Sequence, residues 1–178
     1  YLDGNILYDY IADTISIHVN TLLINRQFLL DTGVQFTPGC HFGEDNEFIS
    51  KLLCHTPVIS VPKAMMKYRS RVGSACGSGS SFRKSLDTIG KVERVNDYIY
   101  QKYRQADRER LLELGADRLR YERYRSILHA IREKEYNAAL AALEDHPAIE
   151  IRGIYKNLHH RTKWAIINSK IQLLWKFL

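Results

Sequence analysis

SIHVNTLLIN, residues 16–25, is the stretch on which the fold class turns. Its β-branched and apolar residues suit a buried strand, and a strand here makes the first part of the chain a mixture of α and β. Working outward, RQFLLDTG supplies a short helix closed by Gly33, and VQFTPGCHFG is a loop marked by Pro38 and Gly39. EDNEFISKLLCH is helical, with Phe48, Ile49, Leu52 and Leu53 making its apolar face. TPVISVPKAMMKYRSR reads as two short strands separated at Pro62. GSACGSGSS, Gly73 to Ser81, has the composition of a flexible loop or linker and marks the one evident boundary. The expectation is therefore two stretches, 1–80 and 81–178, in an α+β but mostly helical chain.

The second stretch is helical in pattern throughout. SFRKSLDTIGKVERVNDYIYQKYR places Leu86, Ile89, Val92 or Val95, and Ile99 at helical spacing, and ADRERLLELGADRLRYERYRSILHAIREK continues in the same style. EYNAALAALEDHP is a short amphipathic helix stopped before Pro147. RTKWAIINSKIQLLWKFL puts Trp164, Ile167, Ile171, Leu174 and Leu178 on one stripe with lysines around it. Such a helix either packs on its own domain or lies in a membrane interface or against a partner.

Composition narrows the class. Of 178 residues, 45% are hydrophobic and 26% charged, which suits a globular chain with a core and excludes disorder. The three cysteines, Cys40, Cys54 and Cys76, form no CxxC pair, which points to a reducing compartment rather than a disulfide framework. No apolar run reaches the ~20 residues of a membrane span, and no signal peptide is evident. The chain opens at Tyr1 without an initiator methionine, which we read as a piece of a longer protein. The net charge of +6 is uneven: residues 1–80 balance at −1 and residues 81–178 at +7. A basic second half serves nucleic acid, anionic lipid or a solvated helix surface.

FGEDNEFISKLL, Phe42 to Leu53, carries the chemistry. Glu44, Asp45 and Glu47 follow a glycine at the mouth of the expected helix. Acids there are favoured by the helix dipole and the unpaired N–H groups of the first turn. A carboxylate fixed at the same place is also well set to take a proton from a hydroxyl. Cys40-His41 and Cys54-His55 lack the ligand spacing of a zinc site.

Taken in order, an apolar strand with Asn20, a short helix with Arg26 and Phe28 to Leu30, VQF, the GED-x-x-F block, and a strand ending in Tyr-Arg-x-x-x-Gly-Ser resemble a known arrangement. It is the C-terminal, acceptor-side half of the catalytic domain of family 2 glycosyltransferases, which have the GT-A fold. The resemblance covers residues 16–80, and the helical tail is similar to the extension on bacterial polysaccharide-building members. It implies a partial GT-A-like half over 1–80 followed by a helical bundle over 81–178. It further implies that Asp45 is the general base of an inverting sugar transfer, with Glu44 orienting the acceptor or bracing the loop. Glu47, about one helical turn from Glu44, is expected to point elsewhere and serve structure.

By the same resemblance, Tyr68, Arg69, Arg71 and Ser74 fall where family members close the donor site, and Arg69 or Arg71 could meet a diphosphate. The same residues also suit a basic edge strand that discourages edge pairing. Where the family often has a histidine, Arg71 or Val72 stands, so no metal role follows for this segment. The nucleotide-binding half and its Asp-x-Asp motif have no counterpart among the 178 residues. Mg or Mn is accordingly expected in the full-length enzyme and not on this fragment, which should be inactive alone. The implied partners are a nucleotide-sugar donor and a glycan acceptor, lipid-linked in some members. The expected location is the cytoplasm, with peripheral contact at the inner face of the plasma membrane through residues 161–178 as one use of the apolar stripe.

The alternative from another class is a helical protein- or nucleic-acid-interaction module without catalysis. RLRYERYRSILHAIR interleaves arginines with tyrosines, which suits backbone contact and stacking. Acids alternate through the same region, so nucleic acid is not the expected partner.

Overall fold

In the structure, a computed structural model that describes residues 2–67 and 81–145, residues 16–25 form no strand. The elements are helices: α1 Leu7–Ile11, α2 Arg26–Thr32, α3 Glu44–Leu53, α4 Phe82–Lys102, α5 Arg108–Arg132 and α6 Tyr136–Asp145, with one 3₁₀ turn at Val19–Thr21. The 3₁₀ turn starts at His18, whose Nδ1 accepts the Asn20 N–H at 3.3 Å and whose carbonyl accepts the Thr21 hydroxyl at 2.7 Å. Asn25 caps α2, its Oδ1 accepting the N–H groups of Gln27 at 2.8 Å and Phe28 at 3.3 Å. Polar side chains that bond nearby backbone compete with a β-ladder, and here they win. The apolar residues are still covered: Ile17, Val19, Leu22 and Ile24 pack partly buried on the core, whereas Leu23 is fully exposed.

The second expected pair of strands is reduced to one contact. Gly4 and Val58 form an antiparallel bridge, Gly4 N–H to Val58 O at 2.8 Å and Val58 N–H to Gly4 O at 2.9 Å. The pairing does not continue to the next ladder position, where the Ser60 N–H donates to Asp3 Oδ1 at 2.7 Å and the Leu2 N–H to Ser60 Oγ at 2.9 Å. Ile59, Val61 and Met65 are left exposed. This corrects the expected α+β class with its GT-A-like half: the described residues are mostly helical and hold no sheet.

Within the described residues, the helices read from sequence form where expected. α2 ends on Gly33 with φ +64°, the left-handed cap that glycine adopts without strain. α4 and α5 are long and joined by a few residues, which makes them an antiparallel hairpin. Tyr103 closes the joint: its hydroxyl donates to Asp107 Oδ1 at 2.9 Å and accepts from Asn5 Nδ2 at 3.0 Å. The main core runs across both sequence stretches, with Ile6, Leu7 and Tyr10 of the α1 region and Ile49 and Leu53 of α3 against Val95, Ile99 and Leu111 of the hairpin. Val92, Val95 and Ile99 are buried as the helical spacing implies, but Leu86 stays half exposed. α6 folds back on the far end of α5 through Ala139 against Ile127 and Ala130. Among the described residues no helix is long and apolar enough to cross a membrane.

Candidate functional site around Asp45

The acid block sits at the start of α3 because Gly43 precedes it. Gly43 has φ +81°, a left-handed conformation, and its Cα lies under the Lys91 side chain: an added Cβ would come within 2.9 Å of Lys91 Cδ. Both features select glycine. Gly43→Ala should therefore cost ~1–2 kcal/mol in urea unfolding, from backbone strain alone. Unchanged stability would show that the helix mouth does not need this turn.

The three acids have separate fates. Glu44 is exposed. Asp45 is half-buried, and its Oδ1 accepts the Asn46 N–H at 2.8 Å. Glu47 is 1% exposed and tied on both oxygens. Arg94 Nε and Nη2 donate to Oε2 at 2.9 and 2.8 Å, Lys51 Nζ donates to Oε1 at 2.6 Å, and the Thr37 hydroxyl also donates to Oε1. Burial alone would raise the Glu47 carboxyl, but these donors outweigh it and hold the group down at about 2, against an ordinary 4.5. Glu47 is thus an internal brace between α3, α4 and the loop at Thr37, whereas Asp45 has no ion-pair partner among the described residues.

A small cleft of about 80 Å³ opens between α1, α3, α4 and α5, lined on the α3 side by Asn46 and Ser50. Its polar wall is Tyr10, Asp13, Asn46, Ser50, Lys91, Asn96 and Arg118. Asn46 links two sides: its Nδ2 donates to the Tyr10 hydroxyl at 2.8 Å, and its Oδ1 accepts from Lys91 Nζ at 3.4 Å. Opposite, Arg118 Nη1 meets Asp13 Oδ2 at 2.7 Å and Arg118 Nε meets buried Glu122 Oε1 at 2.9 Å. Asp13 has φ +62°, a conformation aspartate tolerates better than most residues. Burial pushes the Lys91 ammonium below its ordinary value and Arg118 adds to this, while Glu122, Asp13 and Asp45 pull the other way. Burial likewise pushes the Tyr10 hydroxyl up to about 12, so it stays a hydrogen-bond donor.

Of the residues picked from sequence, Glu44 and Asp45 stand together in the first turn of α3, and neither lines the cleft. Tyr68, Arg69, Arg71 and Ser74 lie outside the described residues, as does 161–178. Sequence reasoning did not single out Lys91, Tyr10 or Asn46. A signal for Lys91 existed, since it falls on the buried stripe of α4, three residues after Thr88 and four before Val95. No group of three or more His, Cys, Asp or Glu side chains among the described residues is placed to hold a metal ion. The arginines proposed for nucleic acid are engaged: Arg123 with Glu93 at 3.0 Å, Arg125 with Glu122 at 3.2 Å, and Arg120 with Asp117. No protein-family model matches the chain, and no curated protein or solved structure matches it.

Proposed function

We propose that this chain is the acceptor-side part of an inverting glycosyltransferase of family 2, in which Asp45 activates a glycan hydroxyl for attack on a nucleotide-sugar. The observation that carries the reading is the contrast within one helical turn. Glu47 is consumed by Arg94, Lys51 and Thr37, while Asp45 keeps one oxygen without a donor among the described residues and directly precedes Asn46, which lines the cleft.

The chemistry follows from that carboxylate. As the acceptor oxygen forms its bond to the anomeric carbon, Asp45 takes the hydroxyl proton, and the bond from that carbon to the nucleotide diphosphate breaks on the opposite face. The configuration inverts. A short side chain anchored by the Asn46 N–H limits the motion of the base. The support is local to the GED-x-x-F block and its cleft. Nucleotide binding and the metal belong to a part with an Asp-x-Asp motif, which this chain lacks.

The test is product stereochemistry: the full-length protein should turn an α-linked nucleotide-sugar into a β-glycoside, read by the anomeric proton coupling in NMR. Retention of configuration overturns the reading, and so does sugar transfer by the 178-residue chain alone. The nucleic-acid form of the alternative function would have to break the ion pairs of Arg120, Arg123 and Arg125 to free their cations for phosphate.

A further inference from the structure

We infer that the cleft at Lys91 binds the oxyanion group of an acidic sugar, a carboxylate or a phosphate ester, and that the acceptor is therefore an anionic glycan. This rests on the acceptor-side reading of the same site.

The argument is one of unmatched donors. Lys91 is half-buried, and its one hydrogen bond among the described residues goes to a neutral amide oxygen, Asn46 Oδ1, at 3.4 Å. The acids around it already receive donors: Asp13 from Arg118 at 2.7 Å, Glu122 from Arg118 at 2.9 Å and Arg125 at 3.2 Å, and Asp45 Oδ1 from the Asn46 N–H at 2.8 Å. Tyr10 adds a second donor on the same wall, since its oxygen accepts from Asn46 Nδ2 and its own O–H has no acceptor among the described residues. Asn96 lines the third side, with its Oδ1 the atom nearest Gly115.

The Lys91 ammonium and the Tyr10 hydroxyl thus border one small space with no carboxylate bonded to either among the described residues, and an oxyanion is a group that accepts from both at once. The size agrees. At about 80 Å³ the cleft is far below the ~300 Å³ and more of pockets that enclose a drug-sized ligand, so it suits a charged head group while the ring stays outside. Around the cleft, Asp13 and Glu122 share the Arg118 guanidinium and Glu122 also meets Arg125, while Asp45 has no ion-pair partner among the described residues.

Titration of the full chain with D-glucuronate, glucose 6-phosphate and glucose, followed by calorimetry, tests the inference. One of the two anions should bind at least ~10-fold tighter than glucose, and whichever is tighter names the oxyanion. Lys91→Met should lose that margin and Lys91→Arg keep most of it. On the unmutated chain, the preferred anion should shield the Lys91 amine from acylation, read by peptide mass spectrometry, which gives an answer even if a variant folds poorly. Glucose binding as tightly as both anions, or a Lys91 amine that neither anion shields, overturns the inference while the acceptor reading stands. Conversely, anion binding that depends on Lys91 in a protein whose sugar transfer survives Asp45→Asn upholds the inference and removes the base assignment.

Discussion

Asp45→Asn should lower kcat of the full-length protein by roughly 10²–10⁴-fold with the acceptor KM changed by less than about 3-fold. The asparagine keeps the shape of the side chain and an Oδ1 that can still accept the Asn46 N–H. What it loses is the capacity to take a proton. A base acts as the hydroxyl oxygen develops its bond, so its removal weakens the transition state and leaves ground-state binding alone. Thermal unfolding of the variant should match that of the parent, which separates chemistry from folding. Steady-state rates within about 3-fold of the parent would eliminate Asp45 as the base.

Glu47→Ala should produce the largest loss of stability, about 3 kcal/mol in urea unfolding, near the low end of the range for removing one partner of a buried ion pair. The low end applies because Arg94 is 38% exposed and can regain water, whereas Lys51 at 14% and the Thr37 hydroxyl are left facing an apolar gap. The same group sets an acid limit. Its folded carboxyl titrates at about 2 and its ordinary value is 4.5. The stability it contributes is therefore full above about 4.5 and is lost as the pH falls from there towards 2. The parent should lose stability steeply over that window, and Glu47→Ala should show a flatter acid limb in the same measurement. Equal slopes, or a loss below ~1 kcal/mol, would mean that the Arg94–Glu47–Lys51 brace contributes little.

The parts of the fold that were legible in the sequence are those with local punctuation. Asn25 and Gly33 bracket α2 by capping chemistry that any chain shows, and the apolar stripe of α3 needs only its own period. Residues 16–25 misled because an apolar, β-branched run has the same look whether its cover comes from strands or from helices. Here α3 and the α4–α5 hairpin provide that cover, and His18 and Asn25 spend their side chains on neighbouring backbone. A strand also needs a partner in register, and around Val58 the Asp3 and Ser60 side chains take the N–H groups that would extend the pairing.

The candidate site divides in the same way. Asp45 and Glu47 could be told apart by helical angle, since residues on one turn face different neighbours. The cleft could not be read, because Tyr10, Asn46, Lys91 and Arg118 meet only through tertiary packing of four helices. No spacing within any one of those helices encodes the meeting.

The core that joins Ile6, Leu7, Ile49 and Leu53 to Val95, Ile99 and Leu111 bears on how such a protein can change over generations. The Gly- and Ser-rich run from Gly73 to Ser81 looks like a seam where a module could be transplanted, yet the oily surfaces on its two sides are complementary halves of one interior. Neither flank can be traded to another protein without exposing its share, so the two must be inherited together.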